Sequence, residues 1–514
     1  MKLPNRSRVS RSRVAQAVSI PAPVGGLNSK DSIANMPPTD AFIMDNWFPT
    51  ASNVVLRNGM SAYKTGFAAA INTLATYNGL TTTKMFAAAG TAIYDATVQG
   101  AVGAAVVTGL TSDKFQYVNM GTVGGRFLCM FNGADNGQYY DGAAWINVSI
   151  GAGATQIANV DPKNIINVNI FKNRMFLVEK NTANVWYLPL NAIYGAASKL
   201  DFSSLLNFGG NILAMTTWTV DNTAGMQEYA VFISSIGEVL VYSGSDPAVA
   251  ANWTLSNRFN IGRPAGYRCY ERVGSDVVIM GADGLFPLSK ALVTDRAQTQ
   301  YAVTDKIVTS ISNDFQVYGN NFGWQVLLYP IGSKLIINVP NGIGSYQYVM
   351  NTITGAWCRF TGWTASCFAR MNDDLFFGGT TAVYQCDDGV SDNGAQINGD
   401  CQQAFQYFGS SNQKKFTMAR PILQTNGTIL VGFNLNLDFD LTKPTNVVSV
   451  TTAGATYWGS PWGSPWSAQL SLSKNWQSVG GFGFSAAPRL LANSANVTIS
   501  WQSTDIVFEN GGTL

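Results

Sequence analysis

The sequence predicts an all-β protein built on a β-propeller of about seven blades, and three observations predict it. The composition is that of a turn-rich β protein: among 514 residues there are 51 glycines and 20 tyrosines, with 12% aromatic and only 12% charged residues. A hairpin pattern recurs seven times, each copy an apolar run, a Gly/Asn/Asp turn and a second run that often ends in Tyr. The copies start 40 to 58 residues apart, which leaves room for about four strands per unit, the content of a propeller blade. An array of β-sandwiches with accidental periodicity is the alternative.

Taken in order, residues 1–20 read as a basic arm. Lys2, Arg6, Arg8, Arg11 and Arg13 stand there without an acid, so the remainder of the chain is close to neutral. The arm is a candidate contact for an acidic partner or for DNA, with a solvated tail as the plainer reading. It is followed by AQAVSIPAPVGG, too poor in apolar residues and too rich in proline for a signal-peptide core. Residues 21–60 are expected to lead into the propeller as a helix and a strand. In PPTDAFIMDNWFP (37–49), Thr39 or Asp40 can cap a short helix and Pro49 ends it. VVLRNGM then begins a strand expected to enter the first blade.

The propeller is expected over 61–400. Its hairpins are MFAAAGTAIYD (85–95), FLCMFNGADNGQYYDG (127–142), MFLVEKNTANVWYL (175–188), VFISSIGEVLVYSG (231–244), VVIMGADGLFPLS (277–289), LIINVPNGIGSYQYVMN (335–351) and LFFGGTTAVYQCDDG (375–389). Trp145, Trp253 and Trp357 follow hairpins and are expected to fill the gaps between blades. Residues 401–514 read as a further β region, with closure of the propeller as one role open to it. It holds a strand over 426–441 and the loop YWGSPWGSPW (457–466), whose prolines forbid a regular helix. Trp458, Trp462 and Trp466 are candidates for a subunit interface or for internal packing, as are Trp47 and Phe48.

The chemistry is bounded by an absence: the chain has no histidine. That removes Ser-His-Asp and Cys-His nucleophile systems and HExxH zinc sites, and leaves carboxylate pairs as the main catalytic option. The acid clusters Asp373/Asp374, Asp387/Asp388 and Asp135/Asn136 fall at hairpin turns, where Asp satisfies backbone N–H groups. SGSDPAVAANW (243–253) departs from the sialidase Asp-box by lacking its glycine and displacing its tryptophan. Lys414 and Lys415 read as a solvated pair. No nucleotide, calcium or metal motif appears, so no catalytic residue, metal ligand or cofactor is expected. The six cysteines, without a CxxC, are expected as buried thiols, and no apolar run reaches 18 residues.

Several segments, in order along nearly the whole chain, resemble the nozzle (tail tubular or tail hub) proteins of short-tailed double-stranded DNA bacteriophages. They are GGLNSKDSIANMPPTDAFIMDNWFPTASNVVLRNG (25–59), VFISSIGEVLVYSGSDP (231–247), WTLSNRFNIGRPAGYRCYERVGSDVVIMGADGLFPLS (253–289), TGAWCRFTGW (354–363), DDLFFGGTTAVYQCDDG (373–389), NWQSVGGFGFSAAPRL (475–490) and TDIVFENGG (504–512). The resemblance implies a virion protein without enzymatic activity, six copies of which form a ring below the tail adaptor. That ring would continue the DNA channel, retain the packaged genome, open for ejection and help anchor fibres or spikes. Its partners would be its own copies, adaptor proteins, fibres or spikes and, transiently, genomic DNA, with no small-molecule substrate. The alternatives are a propeller glycoside hydrolase or lyase, which needs converging carboxylates in a propeller funnel, and a carbohydrate-binding adhesin using the Trp-rich loop.

Overall fold

The computed structural model describes residues 15–222, 225–291, 301–445, 447–450 and 471–511. Two compact units account for them. One runs from Asn58 to Gly355 and from Arg359 to Ala395; the other gathers the described residues up to Arg57, Ala356–Cys358 and those from Gln396 onward.

The first unit is a seven-bladed propeller. All seven hairpins expected from the sequence are antiparallel strand pairs; six lie inside sheets of three to five strands, and the sixth, Lys334–Pro340 with Ser345–Asn351, lies in a ten-stranded sheet. The first strand of each blade is Ile71–Asn78, Gln116–Thr122, Ile165–Phe171, Ile212–Asn222, Tyr270–Val273, Gln325–Tyr329 and Cys367–Met371. Each of these strands lies against the next blade, and the last lies against the first, so the ring is closed. Closure follows from strand pairing: Met60–Thr65, from the start of the chain, pairs antiparallel with Ala382–Cys386 as the outer strand of the seventh blade. The C-terminal region therefore does not perform the closure that was open to it. Gly59 permits this seam, since a Cβ there would lie 1.8 Å from the Ser391 carbonyl oxygen.

The core of a propeller is divided among the gaps between blades, and the aromatic residues sit there. Trp145 packs edge-on against Phe86 of blade one, 4.9 Å between ring centres, and against Tyr140 of blade two. Trp253 stacks on Tyr242 of blade four at 5.2 Å and on Phe176 of blade three at 6.1 Å. Trp357 differs from the expectation: it is buried, but it belongs with the second unit. The six cysteines are all buried thiols.

The second unit is a two-layer β structure. One layer centres on Ile499–Asn510, which pairs with Lys414–Thr425, Ala15–Pro21 and Val54–Leu56. The other runs through Asp40–Asp45, Ile397–Gln403, Ala486–Ser494 and Ile429–Leu437. Burial alternates along the longer strands, as a half-buried pleat requires. Gly399 brings the layers together, since a Cβ there would lie 2.7 Å from Trp47 and Leu56 side-chain atoms.

The helix expected within 37–49 is absent. Asp40–Asp45 and Trp47–Pro49 are strands, hinged at Asn46 in the left-handed region (φ 60°). Pairing with Ile397–Gln403, more than 350 residues along the chain, outweighs the local capping signal. The hinge is fixed by two hydrogen bonds: Asn46 Nδ2 donates to the Asn398 carbonyl, and Arg57 Nε donates to Asn46 Oδ1, both at 2.8 Å. Val54–Leu56, expected in the first blade, pairs instead with Trp47–Pro49 and Ile499–Asn510 in this unit. The longest helix among the described residues, Val308–Tyr318, lies between blades five and six.

Candidate functional site at the propeller axis

The first strands of the blades line the propeller axis, and two charged groups meet there, one mostly buried and one about two-fifths exposed. Glu271 comes from blade five and Arg370 from blade seven, and their charged atoms are 3.9 Å apart. Around them Thr76, Asn78, Tyr117, Gln325 and Phe368 line a polar well of about 460 Å³. The Glu271 side chain is one-fifth exposed. Burial pushes its carboxyl up to about 7, while Arg370, a backbone N–H at Leu328 and Arg272 pull the other way. Burial likewise pushes the neighbouring Tyr270 hydroxyl up to about 12 and raises Tyr117. Glu271 can therefore gain or lose a proton near neutral pH.

Arg268, at the approach to blade five, ties the axis together. Its Nη2 donates to the Asn72 carbonyl (3.2 Å), Thr73 Oγ1 (3.0 Å) and the Phe115 carbonyl (3.0 Å). Thr73 is itself buried and donates to the Asp113 carbonyl at 2.7 Å. One guanidinium thus links blade five to the inner edges of blades one and two. Sequence reasoning passed over Glu271 and Arg268 because both sit in GRPAGYRCYERVG, a run with no motif of its own. The available signal was position: charged residues leading into and within the first strand of a blade.

The residues singled out from sequence are not gathered at this axis. Trp47 is fully buried in the two-layer unit, its ring edge-on to Trp501 at 6.5 Å, and Phe48 beside it is half-buried. Trp458, Trp462 and Trp466 lie outside the described residues, as do Lys2, Arg6, Arg8, Arg11 and Arg13. The acidic residues at the turns divide: Asp135 and Asp246 satisfy backbone N–H groups as expected, whereas Asp387 and Asp388 take side-chain partners from distant strands. Asp135 accepts from the Thr111 and Ser112 backbone N–H groups and from Asn132, and these bonds outweigh the cost of its burial to hold its carboxyl below the usual range. Asp387 takes Lys334 at 2.6 Å, Asp388 takes Ser61 at 2.6 Å, and Asp246 accepts from the Ala248 N–H.

Lys414 corrects an expectation. Lys415 is exposed, but Lys414 is fully buried, and its ammonium donates to the Ser410, Asn412 and Phe484 carbonyls. Desolvation lowers its pKa, partly offset by Asp438. Strand alternation between Lys414 and Lys415 makes the difference. Among the described residues, no group of three Cys, Asp or Glu side chains is placed to hold a metal ion.

The fold and site define a seven-bladed propeller protein with an attached two-layer β unit and a polar axial well. No family model matches the chain, and no curated protein matches it. Among solved structures, BBS1N in complex with ARL6DN, soaked with mercury, is similar at 9% identity with a TM-score of 0.38, over 64% of this chain and 97% of that one. The same complex soaked with lead gives 8% identity and a TM-score of 0.37, over 62% and 94%. At these values the likeness carries no functional argument.

Proposed function

We propose that the chain is a structural subunit of a short bacteriophage tail. Six copies form a nozzle ring that continues the DNA channel below the adaptor, retains the packaged genome and opens for ejection. The observation that carries this reading is the ordered series of segments from 25 to 512 that resemble tail nozzle proteins. The fold supports it in kind: a closed seven-bladed ring and a two-layer β unit are stiff scaffolds that need no cofactor to stand. The axial chemistry also leans this way. The well is lined by one carboxylate, Glu271, where a paired-carboxylate glycosidase needs two.

The test is genetic and structural. Particles assembled without this chain should package DNA and then lose it, and supplying the protein should restore retention. Particles that keep their genome and infect normally without it would refute the nozzle role.

A further inference from the structure

At the end of the axis where the first strands begin, a second cavity of about 360 Å³ has a lining of another kind. Three cationic side chains border it, Lys114, Arg263 and Arg268, and no Asp or Glu does. Among the described residues, none of the three is paired with a carboxylate. Arg268 is held by two carbonyls and a hydroxyl, and Arg263 donates from Nη2 to Asn320 Oδ1 at 2.5 Å. The Phe322 ring gathers the other charges, with Lys114 Nζ 4.5 Å and the Arg268 guanidinium 5.5 Å from its centre. Carbonyls and an aromatic face position these cations without neutralising them, so their mutual repulsion is left standing.

A second, independent feature points the same way. Gln116 lines this cavity, is only 9% exposed, and its Nε2 is buried with no hydrogen-bond partner. A buried orphan donor costs stability unless something accepts from it. The carboxyl end of the helix Val308–Tyr318 reaches the same cavity, and two of its terminal carbonyls are occupied. Gly319 N–H takes the Phe315 carbonyl, and Asn321 N–H and Trp324 Nε1 take that of Tyr318. The cavity therefore presents positive charge to whatever enters it, with the unmatched Gln116 amide buried in its wall.

We propose that this cavity binds a phosphate monoester. The phosphate meets Lys114, Arg263 and Arg268 and accepts from Gln116, and the organic part rests on Tyr267 and Phe322. The phosphate could belong to a free small molecule or to the 5′ end of a nucleic-acid strand. The inference does not depend on the assembly role proposed above.

The test is calorimetric titration of the full chain with adenosine 5′-monophosphate, adenosine and a 5′-phosphorylated oligonucleotide beside its unphosphorylated twin, each to about 10 mM. Adenosine 5′-monophosphate should bind and adenosine should not. Replacing both exposed cations (Lys114→Ala with Arg263→Ala) should weaken binding on the order of tenfold or more. Gln116→Met should weaken it too, while raising the melting temperature of the ligand-free protein. A strand that binds only when phosphorylated would assign the phosphate to a nucleic-acid end; equal binding of both strands would overturn the proposal. So would no binding of the monophosphate, or binding unchanged in the double variant.

Discussion

At the scale of single residues, Glu271 is tested through pH and Arg489 through packing. Glu271 has a folded-state pKa of about 7, above the ordinary glutamate value. A raised pKa means its contribution to stability is complete below about pH 4.5 and is lost as pH rises through about 7. The wild type should therefore lose on the order of 1–3 kcal/mol relative to Glu271→Gln between pH 4.5 and 8. Urea melts of both proteins at the two pH values measure that difference, and the subtraction removes Arg370, Arg272 and Tyr270, which are common to both. In the two-layer unit, Arg489 is almost fully buried and holds Asp400 through two hydrogen bonds of 2.9 and 2.7 Å. Asp400→Asn leaves that guanidinium without its countercharge and should cost about 3 kcal/mol, whereas pairing Asp400→Leu with Arg489→Met should recover much of it. Denaturant midpoints of the single and double variants decide between a needed pair and a replaceable one.

Elements show how far local pattern reaches. The hairpins were legible because each is a local event: two apolar runs and a turn within about 15 residues, as in LFFGGTTAVYQCDDG. The strand Asp40–Asp45 was not, because its partner lies at the other end of the chain, and a capping signal without that partner reads as a helix. The closing strand Met60–Thr65 was hidden for the same reason. It is anchored by Tyr63, whose ring meets Phe376 at 4.7 Å and whose hydroxyl donates to the Thr97 carbonyl at 2.6 Å. Tyr63→Phe should cost about 1 kcal/mol and Tyr63→Ala about 3 kcal/mol. Trp253 gives the parallel test between blades three and four. Its Nε1 has no partner, so Trp253→Phe should cost far less than Trp253→Ala, which should lose about 3 kcal/mol. Thermal or urea unfolding checks both series.

For the whole molecule, composition and period pointed to a propeller, while the placement of the chain's two ends did not show in either. The described residues of 15–57 and 396–511 build one unit together, and the propeller is drawn from the stretch between them. The polar axial well was equally out of reach, since Thr76, Tyr117, Glu271, Gln325 and Arg370 come from five different blades. The proposed role rests on assembly, and assembly can be seen directly. Electron cryo-microscopy of purified particles measures the copy number and place of this chain. Six copies are expected in one ring at the far end of a short tail, below the adaptor and around the DNA channel. Particles whose tail density has no room for the chain, or protein that stays monomeric at every concentration and never associates with particles, would contradict it.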